Sequence, residues 1–176
     1  MNLVFDIEAN GLLSAVERIW MVCAEDLDTG KQYDFCDHSS ECYPLMEYRE
    51  LMREADSCIG HFVLGYDFPA LEKVHGFVLP KRVNVKDTLL MSQTLDYMRF
   101  GYDGHSLDRW GEYLGIKKPE HEIWTKYSDE MLFRCREDRK INVQVYKILL
   151  AEFKKIHARK PAIAQSLRNE HDCLRF

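Results

Sequence analysis

The triplet Asp6-Ile7-Glu8, set directly behind the apolar run Leu3-Val4-Phe5, constrains the fold of this chain more than any other feature. The apolar run reads as a strand, and strand residues two apart point to the same side. Asp6 and Glu8 are therefore expected to project together from one face of an N-terminal strand. Two like charges held that close resist ionising together. Something cationic is expected between them, and oxygen-rich sites favour Mg²⁺ or Mn²⁺. An ordinary solvated strand face produces the same triplet by chance, so the pair needs support from the rest of the chain.

At 176 residues and 20.8 kDa the chain fits one domain with a genuine core. Apolar residues at 46% and charged residues at 30% exclude disorder as its main state. The 24 basic and 29 acidic side chains leave a net charge of −5, so no basic coat attracts nucleic acid by charge alone. A nuclease stays open, because the carboxylates of a metal site add negative charge that bound cations offset. The cysteines, at 23, 36, 42, 58, 135 and 173, form no C-x-x-C pair and follow no secretory signal. They read as reduced thiols in a cytoplasmic protein. No apolar run approaches the roughly 20 residues that a membrane helix needs, so no membrane partner is expected.

Along the chain, strands are expected at Leu3–Asp6, Ile19–Ala24 and Gln32–Phe35, the last after the Thr29-Gly30 turn, forming a meander. Tyr43–Ala55 has helical spacing of apolar residues, and Ser57–His61 resembles a short strand. A helix follows Asp67 and ends at Gly76, with Asp67 able to cap it and Pro69 in its first turn. Val83–Val85 reads as a strand, Thr88–Tyr97 and Ser106–Leu114 as helices, the second stopped by Gly115. Residues 98–105 and 116–127 read as loops. A long final helix starts with Ser128 as its cap and runs through Lys155. Strands first, then alternation, then helices imply an α/β domain with a mixed sheet flanked by helices.

Helical spacing places Asp138 on the apolar stripe of that last helix, with Met131, Cys135, Val145 and Leu149. A lone buried carboxylate is costly unless paired or metal-bound. A salt bridge to Arg134 at i−4 and a metal site account for it equally well. For Asp67, helix capping is the simpler account on pattern alone.

These segments together resemble a known group. Asp6-Ile-Glu8 after a strand, His61-Phe-Val-Leu-Gly-Tyr66-Asp67-Phe-Pro-Ala-Leu71, Asp87-Thr-Leu-Leu90 and Arg134-Cys-Arg-Glu-Asp138 fall in the order and context of the DEDD 3′-5′ exonuclease superfamily. The chain further resembles the proofreading domain of phage-type family A DNA polymerases, whose segment between the second and third motifs is similar to His105–Gly115. The match spans roughly residues 3 to 150. It implies a ribonuclease H-like fold and a metal-dependent 3′-5′ exonuclease acting on single-stranded DNA or frayed 3′ ends. It implies Asp6, Glu8, Asp67 and Asp138 as ligands of two divalent cations. Leu12 stands where such enzymes present an apolar side chain to the terminal nucleotide, although a core leucine after the Asn10-Gly11 turn fits the pattern as well. His61, Tyr66 and His105 are further candidates for substrate binding, and Tyr66, Phe68, Trp124 and Tyr127 are candidates for stacking on bases.

Two positions depart from the group. A Tyr four residues before the last Asp, or a His five before it, is replaced here by Arg134 and Phe133, and an Asn that commonly follows the His is Phe62. Arginine is too basic to deprotonate water at neutral pH. Arg134 is left to clamp the scissile phosphate, or to pair with Asp138 and compete with metal. The second option, with Phe62, defines the alternative of a degenerate domain that binds nucleic acid or a polymerase partner without cutting; a ribonuclease is the third. The exonuclease domain is expected over 1–155, with 156–176 as a linker and helix after which a polymerase domain follows in such polymerases.

Overall fold

A computed structural model of the chain describes residues 1–117 and 123–174. Five strands form one sheet in the order β3-β2-β1-β4-β5. They are β1 (Asn2–Ala9), β2 (Ile19–Asp26), β3 (Gln32–Cys36), β4 (Ser57–Gly60) and β5 (Asn84–Asp87). The helices are α1 (Tyr48–Glu54), α2 (Asp67–His75), α3 (Thr88–Leu95), α4 (Leu107–Leu114), α5 (Asp129–Arg159) and α6 (Ile163–Cys173). β1, β2 and β3 make the expected antiparallel meander, and β4 and β5 join β1 in parallel. This is the mixed, helix-flanked sheet that the element order implied.

Alternation along β1 sorts the two sides of the sheet. Leu3, Phe5, Ile7 and Ala9 enter one core with Tyr48 and Met52 of α1 and Ala70 and Leu71 of α2. Val4 faces the opposite core, where Ile141, Val145 and Leu149 of α5 pack with Trp110 of α4 and Met91 of α3. Asp6 and Glu8 therefore point toward α5. The same side of β2 offers Met21 and Cys23 to Met131, Leu132 and Cys135 at the start of α5. A register shift between Glu8 and Ala9 ends the regular pairing with β2 just beyond the carboxylates.

Polar clamps fix where α5 lies. Asp34 of β3 accepts from Arg136 Nε and Arg139 Nη1, each at 2.7 Å. Arg139 is buried, so this pairing supplies the counter-charge that its burial requires.

Several expected boundaries move. Residues 45–47 form a 3₁₀ turn after Pro44 and α1 begins only at Tyr48. The helix over 88–97 ends at Leu95, with Asp96 extended. Strand pairing continues β5 to Asp87, and α5 runs past Lys155 to Arg159, taking in His157 of the expected linker. Asp67 does not cap α2. Tyr66 holds the cap position without a side-chain hydrogen bond, and Asp67 is buried in the first turn. Ser106 and Ser128 do cap α4 and α5, accepting from Arg109 and Met131 N–H groups. Residues 118–122 of the expected loop lie outside the described residues, as do 175–176.

The strongest cap was not foreseen. Asp87, fully buried at the end of β5, accepts from Leu89 N at 3.0 Å and Leu90 N at 3.4 Å. Its carboxylate also accepts Phe62 N at 3.0 Å and Leu64 N at 3.2 Å from the turn between β4 and α2. Burial pushes its pKa up and these backbone N–H groups oppose the rise. Asp87→Ala leaves buried amides without an acceptor and is expected to lower stability by roughly 2–4 kcal/mol, read as a shift of the urea midpoint at unchanged slope.

Candidate metal and nucleic-acid site

The site grows from the side of β1 that faces α5. Ligand atoms of Asp6, Glu8 and Cys135 lie within 4.8 Å of one another. The Cys135 thiol donates to the Asp6 backbone carbonyl at 3.6 Å and lies 3.8 Å from its Oδ2. Burial, followed by the neighbouring Cys23 thiol, raises the Cys135 pKa well above the usual thiol value. Cys135 was expected only as part of the apolar stripe of the last helix. Its position one helical turn before Asp138 was the signal that it also faces the carboxylates.

Asp138, one turn further along α5, is buried beside Arg134. Arg134 Nε stands 3.8 Å from Glu8 Oε1 and 3.8 Å from Asp138 Oδ2. The guanidinium thus lies between a carboxylate of β1 and one of α5, while its carbon rests 5.6 Å from the centre of the Trp124 ring. The i−4 ion pair expected of Asp138 is formed, and through Arg134 it is joined to Glu8.

Asp67 approaches from the other neighbour of β1. Pairing with β4 stops at Val4, leaving the Ile7 amide free of that strand. The Asp67 carboxyl takes this amide and its own N–H, which favour the charged form. Burial and the nearby Asp87 charge win, and its pKa is raised to about 8. Tyr66, pushed up to about 12 by burial and then by the Asp67, Glu8 and Asp6 charges, donates to the Gly11 carbonyl at 2.5 Å.

Glu8, Asn10, Gly11, Leu12, Tyr66 and Trp124 line an open cleft of about 340 Å³ beside these carboxylates. Leu12 is 79% exposed at its rim, which removes the core account of this residue. Trp124 is fixed by its carbonyl, which accepts from Trp20 Nε1 at 2.9 Å. The other aromatic candidates stand elsewhere. Phe68 packs on Phe5 at 5.3 Å, and Tyr127 stacks on His38 at 5.1 Å and donates to Asp129. His61 sits 3.0 Å from the Thr88 hydroxyl, and buried His105 bridges Ser92 and the Tyr97 carbonyl. Both histidines thereby fasten loops around α3.

The donor set suits a divalent cation: paired carboxylates at close range, with a third carboxylate on α5 held near them by Arg134. The thiol adds a softer donor, which Mn²⁺ or Zn²⁺ tolerates better than Mg²⁺.

The fold is shared with known nucleases. NrnC of Brucella melitensis bound to pGG matches with a TM-score of 0.66 at 20% identity, covering 98% of this chain and 85% of that one. NrnC also occurs with bound Mg²⁺. The zinc-bound E. coli ExoI–ssDNA complex matches at 0.56 and 13% identity, over 96% and 42% of the two chains. The family B DNA polymerase of the hyperthermophilic archaeon Pyrobaculum calidifontis matches at 0.62 and 18% identity, over 84% and 24%. The chain spans less than half the length of ExoI or of the polymerase. No protein-family model and no curated protein matches the sequence. The likeness defines an α/β, ribonuclease H-like fold.

Two outcomes are expected. Removing a unit charge from about 4 Å of two carboxylates strengthens cation binding, so Arg134→Met is expected to tighten Mn²⁺ binding about tenfold or more in calorimetric titration. Asp67 holds a proton in the native state between its ordinary pKa of 3.8 and about 8 that the unfolded chain has already released. Its contribution to stability therefore falls as pH rises across that window, and Asp67→Asn is expected to flatten the fall in metal-free urea unfolding from mildly acidic to mildly alkaline pH.

Proposed function

We propose that this chain is a metal-dependent 3′-5′ exonuclease releasing nucleotides from the 3′ end of single-stranded DNA. The observation that carries the reading is the close pairing of Asp6 and Glu8 on the central strand, with Asp138 of α5 joined to Glu8 through Arg134, beside a cleft that holds Trp124 and Tyr66. Asp6, Glu8, Asp67 and Asp138 would hold two divalent cations, Mg²⁺ or Mn²⁺. Such a pair lowers the pKa of an attacking water and offsets charge on the leaving 3′ oxygen. The fold shared with nucleases, one seen with Mg²⁺ and with pGG and another with single-stranded DNA, supports this.

The remaining residues define how a strand would enter. Trp124 and Tyr66 offer ring faces to bases without selecting sequence. Leu12, exposed at the rim, can wedge against the terminal base. Arg134 meets a phosphate with its planar fork once it turns away from Glu8 and Asp138. The resemblance of His105–Gly115 to phage-type family A polymerases supports a setting in DNA replication or proofreading in the cytoplasm, with a polymerase domain or subunit as partner.

The position of Arg134 favours one second reading. A guanidinium already neutralising Glu8 and Asp138 competes with metal, and a domain so blocked binds strands without cutting them.

A time course on 5′-labelled single-stranded DNA with Mg²⁺ and then Mn²⁺ separates the two. Wild type is expected to give a ladder shortening from the 3′ end, lost in Asp6→Ala and Asp138→Ala, and slower on RNA of the same sequence. A silent wild type with an active Arg134→Tyr establishes the blocked domain instead. In the active case Trp124→Ala is expected to raise KM about tenfold, the scale of one lost base stack.

A further inference from the structure

Helix α6 lies apart from the carboxylates, yet one of its side chains is bonded to Asp87, which holds the turn leading to Asp67. His171 is 8% exposed. Its Nε2 accepts the Asp87 backbone N–H at 2.9 Å, and its Nδ1 lies 2.8 Å from the Leu167 carbonyl. The carbonyl requires a proton on Nδ1, which leaves Nε2 as the acceptor that the Asp87 amide needs. β5 is an edge strand, and this imidazole covers the last amide on its open side.

Asp87 passes the restraint on. Its carboxylate accepts Phe62 N and Leu64 N, so this one residue holds the first half of the turn that carries Tyr66 and Asp67. That turn needs holding. Phe62 has φ of +62°, a left-handed conformation that a bulky side chain resists. Its ring lies where a Cβ on Gly65 would stand, 2.2 Å from that position, so the turn is closed tightly on itself. At its far end Tyr66 is fastened to Gly11 and the Asp67 carboxyl to the Ile7 amide.

We propose that His171 is a positioning residue for the nuclease site, holding the 61–67 turn through Asp87; this rests on the proposed function for its catalytic consequence, not for the restraint itself. Loss of the imidazole frees the Asp87 amide, loosens the carboxylate that spans Phe62 and Leu64, and lets Asp67 drift from β1. α6 is then a part of the working site.

Amide hydrogen exchange on the full chain tests the restraint, comparing wild type with His171→Leu and His171→Gln, whose side-chain oxygen reaches the place of Nε2. The Leu variant is expected to exchange Phe62 and Leu64 amides about tenfold faster while Cys23 in β2 keeps its rate, and the Gln variant to return them to within about twofold of wild type. In parallel, kcat on single-stranded DNA falls in the Leu variant and recovers in the Gln variant. Unchanged exchange at Phe62 and Leu64, with only α6 amides loosened in the Leu variant, overturns the proposal, as does failure of Gln to restore them. Should the Leu variant unfold as a whole, His171→Asn, too short to reach the Asp87 amide, replaces it in the same comparison. If exchange responds as expected but wild type cuts no DNA, the nuclease reading fails and the restraint stands.

Discussion

Everything at the site depends on the strict alternation of β1. One face of the strand buries Leu3, Phe5 and Ile7, and this apolar set leaves no freedom in which way Asp6 and Glu8 point. A slip of one residue would send both carboxylates into the α1–α2 core at prohibitive cost. On the correct side they meet α5, whose own placement is fixed by Asp34 pairing with Arg136 and Arg139. Arg134 completes the balance by standing between Glu8 and Asp138. The same guanidinium that makes the charge cluster tolerable without metal opposes the metal that the cluster suits.

The second support is a set of backbone amides gathered by Asp87. A carboxylate that accepts from its own helix and from a distant turn joins β5, α3 and the loop before α2 into one piece. The buried Thr88 hydroxyl extends the joint, lying 3.0 Å from His61 Nδ1 and 2.9 Å from Asn142 Oδ1 of α5. Short polar contacts of this kind tolerate little displacement, so the carboxylates of β1, α2 and α5 share one rigid frame.

Local chemistry made much of this legible. The apolar run Leu3-Val4-Phe5 revealed β1 and the two-residue spacing its paired carboxylates, Ser106 and Ser128 announced helix starts, and Gly76 and Gly115 announced helix ends, both glycines in the left-handed conformation. The i−4 relation of Arg134 to Asp138 was visible as well. What stayed hidden depends on distant partners. Asp67 looked like a cap because capping is a local property, whereas its actual amide partner belongs to β1, about sixty residues earlier. Asp87 was visible only as part of a motif, since the amides it gathers come from another loop. Cys135 was read by its apolarity, and only the docking of α5 on β1 brings its sulfur to Asp6.

The Cys135–Asp6 contact joins residues 129 positions apart, whereas the β1–β2–β3 meander closes through short connections. Closing a long loop demands more chain entropy than closing a turn, and contacts of this kind form against the steepest entropic resistance. Any local opening that lifts α5 takes Arg134, Cys135 and Asp138 away together, while the three antiparallel strands can keep their ladder. A chain with a complete meander thus still lacks Arg134, Cys135 and Asp138 beside Asp6 and Glu8, and that gathering exists only in the state in which the helix has closed over the sheet.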